Sequence, residues 1–428
     1  MLSICLALML ILPNARAAYP EVITEGELQA LHLADAERIA LRDNHDAALA
    51  RISIDAADAA RQIAAAAPNP SLTIQTGGIN PRLGIGSGNL RSKTVDTSIR
   101  IDQLVERGQK RALRSQNAAF LSDAAVLDAA DTGRQVRLAV RQAYYDLLAA
   151  RDKVALVDQT AVLYGATLDA ARKRQRAGDL APSDVVRLQV DALRAMNDAV
   201  QAKADVARAR RSLALLMGHP EDADKIIPAD AWPMLSDAPP VDLMSLVNTR
   251  ADVRAATSRV HAAERAWRLA LASRTRDVSV GIQADHYPTS ASNQQGAGNS
   301  FSISLQIPLF IRYEFNGEIR AADTALTSAK ETLQKTTDAA RSDVLRILEE
   351  RQTAAERLTR YQDELVPAAT KSAAAAELAF AHGAIGIMDV LDVRRTLRQT
   401  QLETLVARAD FAKASSVPLQ PDDQKTLP

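Results

Sequence analysis

Phe301-Ser-Ile-Ser-Leu-Gln-Ile307 is the stretch that decides how this chain is built. Apolar and polar residues alternate through it, the period of a strand whose two faces meet different surroundings. Phe301, Ile303, Leu305, Ile307 and Leu309 fall on one face, and Ser302, Ser304 and Gln306 on the other. A strand that crosses lipid must alternate in this way over about 9–11 residues, with lipid on one side and a polar lumen on the other. Tyr287 on one side and Phe310, Tyr313 and Phe315 on the other stand where an interfacial aromatic girdle belongs. Upstream, Val278-Ser-Val-Gly-Ile-Gln-Ala284 alternates too, and the polar stretch 288–299 joins the two, so 277–309 reads as a β-hairpin.

Working outward, 318–381 reads as one very long helix crossed only by Pro367. Its Leu326, Leu333, Ala340, Ile347, Ala354, Tyr361 and Ala368 recur every seven residues, a coiled-coil-like seam. A turn at Gly383 leads into a returning helix from Met388 to about Ala414. The first half of the chain has the same order of elements. A helix over 33–67 ends at Pro68-Asn69-Pro70, and a hairpin spans 71–103. A proline-free helix over 109–176 follows, then a turn at Gly178 and a helix from Asp184 to Met217. The Gly178/Gly383 and Asp184/Asp389 pairs share one spacing, whereas Gly108 and Gly317 imply about four inserted residues. The organisation expected is a secretory leader over 1–18, a first repeat over 19–217 and a connector over 218–240. A second repeat spans 241–414, and a loose tail spans 415–428.

The ends and the composition narrow the class. The apolar run near the start is too short to span a bilayer and precedes Ala15-Arg-Ala-Ala18, a signal-peptidase pattern. The single cysteine, Cys5, falls inside that leader, which excludes thiol catalysis and thiolate metal sites in the mature chain. Charge is balanced at 52 basic and 52 acidic residues, so no global field points to nucleic acid. Aromatics make up only 4%, which favours long alanine-lined helices over several compact cores. The six histidines show no metal-ligand spacing, and no nucleophile elbow or phosphate loop is present. No enzyme, cofactor or bound metal is expected. Four strands cannot close a barrel, and open edges do not survive in lipid, so a membrane role demands an oligomer.

Several local motifs carry a family resemblance. Gly383-Ala-Ile-Gly-Ile-Met-Asp389-Val-Leu-Asp392 and Gly178-Asp-Leu-Ala-Pro-Ser-Asp184-Val resemble the two hairpin-tip motifs of the TolC-like outer-membrane efflux family. Glu106-Arg-Gly-Gln-Lys110-Arg111 and Pro308-Leu-Phe310 with Asn316-Gly-Glu-Ile319 resemble the strand-to-helix junctions of its cobalt-zinc-cadmium, CzcC-like subgroup. The resemblance implies a mainly α homotrimer with a twelve-stranded β-barrel, four strands per chain, on a long α-helical barrel. It implies a passive duct from the periplasm through the outer membrane of a Gram-negative cell, working with a periplasmic adaptor and an inner-membrane pump of the RND type. Heavy-metal cations are the cargo this implies; a multidrug or type I secretion duct is the alternative cargo reading, and a soluble periplasmic coiled-coil scaffold or adaptor the alternative class.

By the same resemblance, Asp389 and Asp392 line the closed periplasmic entrance, where three copies would form carboxylate rings. Asp389 also stands where a helix cap belongs, while Asp392 lies too deep to cap. Gly178, Ser183, Asp184 and Gly383 are adaptor-contact candidates, with N-capping the competing role for Ser183 and Asp184. Ile385 replaces a gating arginine found in relatives, and Phe380 a latching tyrosine, so any lock here must use other bonds.

Overall fold

The computed structural model describes residues 25–77, 79, 95–235, 242–288 and 298–417. The leader over 1–18, most of both hairpin loops and the tail from 418 lie outside these. The described elements are α1 (Glu25–Gln29), α2 (Leu33–Asp43), α3 (His45–Ala65), β1 (Ser71–Gly77), β2 (Asp96–Val105), α4 (Lys110–Arg176) and α5 (Pro182–Leu216). After a 3-10 turn over Pro220–Lys225 come α6 (Leu243–Thr249), α7 (Ala251–Ala272), β3 (Val278–Tyr287), β4 (Gly298–Gln306), α8 (Asn316–Arg360), α9 (Val366–Ala381) and α10 (Ile387–Ser415).

The expected helix over 33–67 is two helices. Asn44 adopts an extended conformation (φ −64°, ψ 135°), and its side chain accepts from the N–H groups of Asp46 and Ala47, starting α3 afresh. Asn favours such caps because its carbonyl satisfies helix N–H groups that have no partner within the helix. The described part of the connector, up to residue 235, is more ordered than its prolines suggested: Leu31 donates to Ile227 O (2.9 Å) and Ala229 to Leu31 O (3.0 Å). This ladder seats the main core, where Leu31, Ile39, Val140, Tyr144, Leu147, Leu148, Leu213, Met217 and Ile226 are all fully buried.

The 67-residue α4 reaches ~100 Å at 1.5 Å per residue. No single apolar stripe runs its length, because α7 and α3 pack on it at one end and α2, α5 and α10 further along. Buried Ala118, Ala124, Ala129, Ala143 and Ala171 let neighbouring helices approach closely.

The two strand-to-helix junctions share an unusual device. Gln109, preceding α4, has φ 58°, and Phe315, preceding α8, has φ 61°; both are left-handed and neither is glycine. These positions are therefore the structural equivalents, and they lie 206 apart (315 − 109 = 206) against 205 for the tip glycines (383 − 178 = 205). The four-residue insertion inferred from Gly108 and Gly317 disappears: Gly317 is inside α8, whereas Gly108 precedes the cap. Lys110 locks the first junction to the second half by donating to Asp277 Oδ2 (2.8 Å) and Thr275 O (2.7 Å), while the Arg107 N–H reaches Asp277 Oδ1 (2.9 Å).

Pro367 does not simply break the second long helix. A π turn over Tyr361–Leu365 separates α8 from α9, closed by the Val366 N–H on Tyr361 O. Proline has no N–H to donate and its ring crowds the preceding turn, and a π turn relieves both. The expected seam holds at Ala340, Ile347 and Ala354, all buried, but Ala368 is exposed and Ala373 is the buried residue beyond the turn.

All four strands form one antiparallel sheet in the order β1-β2-β3-β4. The two hairpins meet through β2 and β3, so β1 and β4 are left as its edges. β4 ends at Gln306, so Ile307 and Leu309 lie beyond the paired strand; Pro308 between them cannot donate to a ladder. Among the described residues no helix is long and apolar enough to cross a membrane.

Candidate functional site: a two-faced sheet and the paired hairpin tips

Register assigns the sheet two opposite characters. Ile74, Ile99, Ala284 and Phe301 lie directly across from one another, and so do Leu72, Ile101, Ile282 and Ile303. Partners opposite each other point to the same face, so an apolar band crosses all four strands. It is unusually bare: Phe301 is 81% and Ile303 82% exposed, with Leu305, Ile307 and Leu309 exposed alongside. The reverse face carries Thr73, Arg100, Gln283 and Ser302 in one row and Ser71, Asp102, Gly281 and Ser304 in the next. There Arg100 grips Asp102 with two bonds of 2.7 Å and donates to Ser304 Oγ (3.1 Å). Gly281 is required for this cluster, because a Cβ there would stand 2.4 Å from both Asp102 Oδ1 and Ser304 Oγ.

The other end of the molecule is built from two turns of one design. Gly178 (φ +86°) and Gly383 (φ +75°) follow α4 and α9, and each turn closes with two bonds. The Gly178 N–H bonds Gln175 O and the Asp179 N–H bonds Arg174 O; the Gly383 N–H bonds Phe380 O and the Ala384 N–H bonds Ala379 O. This Schellman pattern needs a left-handed residue that only glycine adopts without strain. The two tips pack together: Tyr164, Leu168, Val185, Leu188 and Ala192 of the first hairpin surround Leu391, with Ile387 and Met388 alongside.

Asp389 is exposed, and its carboxylate accepts the Gly386 N–H at 3.0 Å, the reach-back half of a capping box. Asp392 is exposed and accepts from Arg395 at 2.9 Å. Ser183 and Asp184 do not cap α5: the helix starts at Pro182, two residues before the expected Asp184, with Ala181 in the cap position and no side-chain cap bond. Proline at the first helical position explains this, since its missing N–H is one that needs no partner.

The bonds that tie the tips together centre on residues that the sequence reading passed over. Arg395 reaches from α10 to Asp191 of α5 as well as to Asp392, and Arg398 reaches Asp198 in the same way. Asp191 is only 8% exposed. Burial works against the Arg395 charge, but the hydrogen bond and attraction from Asp191 outweigh it and hold the guanidinium protonated. Burial pushes the neighbouring Tyr164 hydroxyl above its ordinary range. Phe380, with no hydroxyl to offer, instead takes the Arg174 guanidinium over its ring at 5.8 Å. A signal for Asp191 was present: it stands between Leu188 and Ala195 on the buried stripe of its helix, where an unpaired carboxylate is not tolerated.

His219, Glu221 and Asp222 bring ligand atoms within 4.8 Å of one another, a grouping that sequence spacing did not single out. Each is engaged or exposed: His219 bonds Asp43 (2.8 Å), Asp222 pairs with Lys225 (3.0 Å) and Glu221 is largely in solvent.

The model of the family described as "Outer membrane efflux protein" matches residues 38–219 and 244–416, most of the chain and in two segments. The chain belongs to the outer membrane efflux protein family. The cobalt-zinc-cadmium resistance protein CzcC of Cupriavidus metallidurans is 26% identical over 333 residues, covering 76% of this chain and 77% of that protein. The Campylobacter jejuni CmeC outer membrane channel superposes with a TM-score of 0.75 at 13% identity, covering 92% of this chain and 86% of that one. VceC, the outer membrane protein of Vibrio cholerae, gives 0.74 at 16% identity over 90% and 94%. The fold is thus that of the TolC-like channels, mainly α with a four-stranded sheet. This outer membrane efflux protein resides in the outer membrane and extends into the periplasm, and its family and structural neighbours are channels rather than enzymes.

Proposed function

We propose that three copies of this chain close into a twelve-stranded barrel on a helical tunnel, forming the passive exit duct of a tripartite heavy-metal efflux system. The observation that carries this reading is the sheet: its apolar face is bare across the full width, and β1 and β4 have no outer partner. Lipid would cover the face at Phe301, Ile303 and Leu305, with Ile307 and Leu309 at its margin, and β4 of one copy would pair with β1 of the next. Kinship with TolC-like channels favours three copies.

The tips at Gly178, Ser183, Asp184 and Gly383 would meet a periplasmic adaptor, and an inner-membrane pump of the RND type would supply the energy. Asp389 and Asp392 would border the entrance, held shut by Arg395 and Arg398 in place of the arginine and tyrosine that Ile385 and Phe380 replace. Metal cargo rests on the CzcC relative and on the junction motifs around Lys110 and Asn316. The test is a deletion strain complemented with the intact gene. Complementation should restore tolerance to cobalt, zinc and cadmium, and the protein should run as a heat-modifiable trimer from the outer-membrane fraction. Recovery as a soluble monomer would refute the duct, and restored tolerance to hydrophobic drugs alone would refute the cargo.

A further inference from the structure

The charges of the four strands are sorted by face. On the face opposite the apolar band lie Asp96, Arg100, Asp102 and Asp285; the band itself carries no Asp, Glu, Lys or Arg. Arg100 and Asp102 neutralise one another through their paired bonds. That leaves Asp96 and Asp285 unbalanced. Asp285 accepts from Gln283 (2.7 Å), and among the described residues neither carboxylate is in an ion pair with a basic side chain. Asp285 lies in the row with Gln75, Ser98 and Ser300, and Asp96 lies opposite Gly77 in the next row on the same face, one pleat repeat of ~7 Å away. Both rows sit toward the hairpin-loop end of the sheet, away from the helices.

From this sorting we infer that the loop-side half of the barrel lumen is a cation-selecting segment, built from two stacked rings of carboxylates at Asp96 and Asp285. The inference rests on the trimeric duct reading, in which each ring holds three copies. Six carboxylates inside a tube with low-dielectric walls focus a negative potential along its axis, which raises the local concentration of cations and lowers that of anions. The ligand class is hydrated metal cations, passed by field rather than by coordination, since the facing Ser and Gln side chains favour a wet lumen. These rings are separate from the tip carboxylates Asp389 and Asp392, at the far end of the helices.

The experiment is the reversal potential of purified trimers in planar bilayers under a potassium chloride gradient. It is run in the wild type and in an Asp389→Asn/Asp392→Asn background, so that the tips do not set the ratio. In both, Asp96→Asn with Asp285→Asn should lower the cation-to-anion permeability ratio ~3-fold or more, and each single change should give part of it. Asn keeps the Gln283 contact, and Asp96→Lys should push the ratio toward anions. Residues 78–94 and 289–297, with Arg82, Arg91 and Lys93, stay the same throughout, so the difference reports the strands alone. A double variant that conducts with an unaltered ratio overturns the inference and leaves the duct standing. A wild-type protein that forms no conducting trimer overturns the duct reading, and the inference with it.

Discussion

Replacing Arg395 by alanine should loosen the joint between the two hairpin tips. Asp191 is almost completely buried and draws its compensating charge from Arg395, whose other bond is to Asp392. Removing one partner of a fully buried pair costs about 3–5 kcal/mol, because the remaining charge is left unpaired. The Arg395 side chain is 44% exposed, so solvent screens the interaction and water can reach Asp191 once the arginine is gone. A cost of about 1–2 kcal/mol is therefore expected, local to the tips, which raises the population of separated tips by about 5–30-fold. Two measurements read this. Hydrogen exchange should quicken for amides over 185–195 and 388–398, and single-channel conductance of the proposed trimer should rise. The barrel end should exchange as before. The control removes the buried charge as well: Arg395→Met with Asp191→Leu should lose less than Arg395→Ala, since no carboxylate is stranded. The reasoning is refuted if Arg395→Ala leaves both exchange and conductance at wild-type values, or if the double variant is the worse of the two.

Other sites make independent predictions. Tyr144→Phe should destabilise the main core by about 1–3 kcal/mol, because the buried hydroxyl donates to Leu31 O (2.9 Å) and accepts the Asp230 N–H (3.2 Å), and phenylalanine strands both; thermal unfolding followed by circular dichroism would show it. Gly281→Ala should cost about 1–3 kcal/mol by displacing Asp102 or Ser304 from Arg100, lowering the temperature at which the proposed trimer dissociates on gels. The His32–Asp230 bond (2.6 Å) should give the start of α2 a pH-dependent hold. Hydrogen bonding to Asp230, and then its charge, raise His32 above its ordinary 6.5. Burial favours a neutral Asp230, but the bonds from His32 and the Leu33 N–H prevail and lower it below its ordinary 3.8. A raised histidine stabilises fully below 6.5 and loses its contribution as pH rises through the folded value, while a lowered aspartate loses its own as pH falls through its folded value. Exchange of the Leu33 amide, corrected for intrinsic rate, should thus be slowest between these limits and quicken as pH rises past 6.5 and through the folded histidine value, and His32→Ala should abolish that change.

What could be read in the sequence followed from periodicity. Alternation over 278–284 and 301–307 placed β3 and β4, and the absence of proline over 109–176 predicted a helix that the structure places at Lys110–Arg176. Features that depend on a single residue's partner were not legible. Asn44 gives no periodic signal, yet its side chain splits one expected helix into two. Ser183 and Asp184 are good capping residues by type, but Pro182 starts the helix before either can act. Arg395 looks like any other basic residue on a charged helix until α5 brings Asp191 against it. Gln109 and Phe315 could not be matched by identity, since they share only a left-handed backbone.

The π turn ahead of Pro367 explains how two hairpins built on one plan meet at their tips. An extra residue in a helix rotates everything beyond it by about 100° relative to a regular continuation. Before the turn, Ala340, Ile347 and Ala354 keep the sevenfold seam toward the interior; after it, Ala368 is exposed and the covered positions include Ala369, Ala373 and Ala376, with 369 and 376 one residue later than the 368 and 375 that the repeat demands. The turn therefore re-aims α9, whose packing partner is α10. Without that rotation the covered stripe beyond Tyr361 would lie about 100° away from its present direction, and the turn at Gly383 would deliver α10 on a different heading. Arg395 and Arg398 find Asp191 and Asp198 because α10 lies against the first hairpin, with Leu391 seated among Leu168, Leu188 and Ala192. A proline that looks like a flaw in a coiled-coil seam is thus part of what brings the charged joint into register.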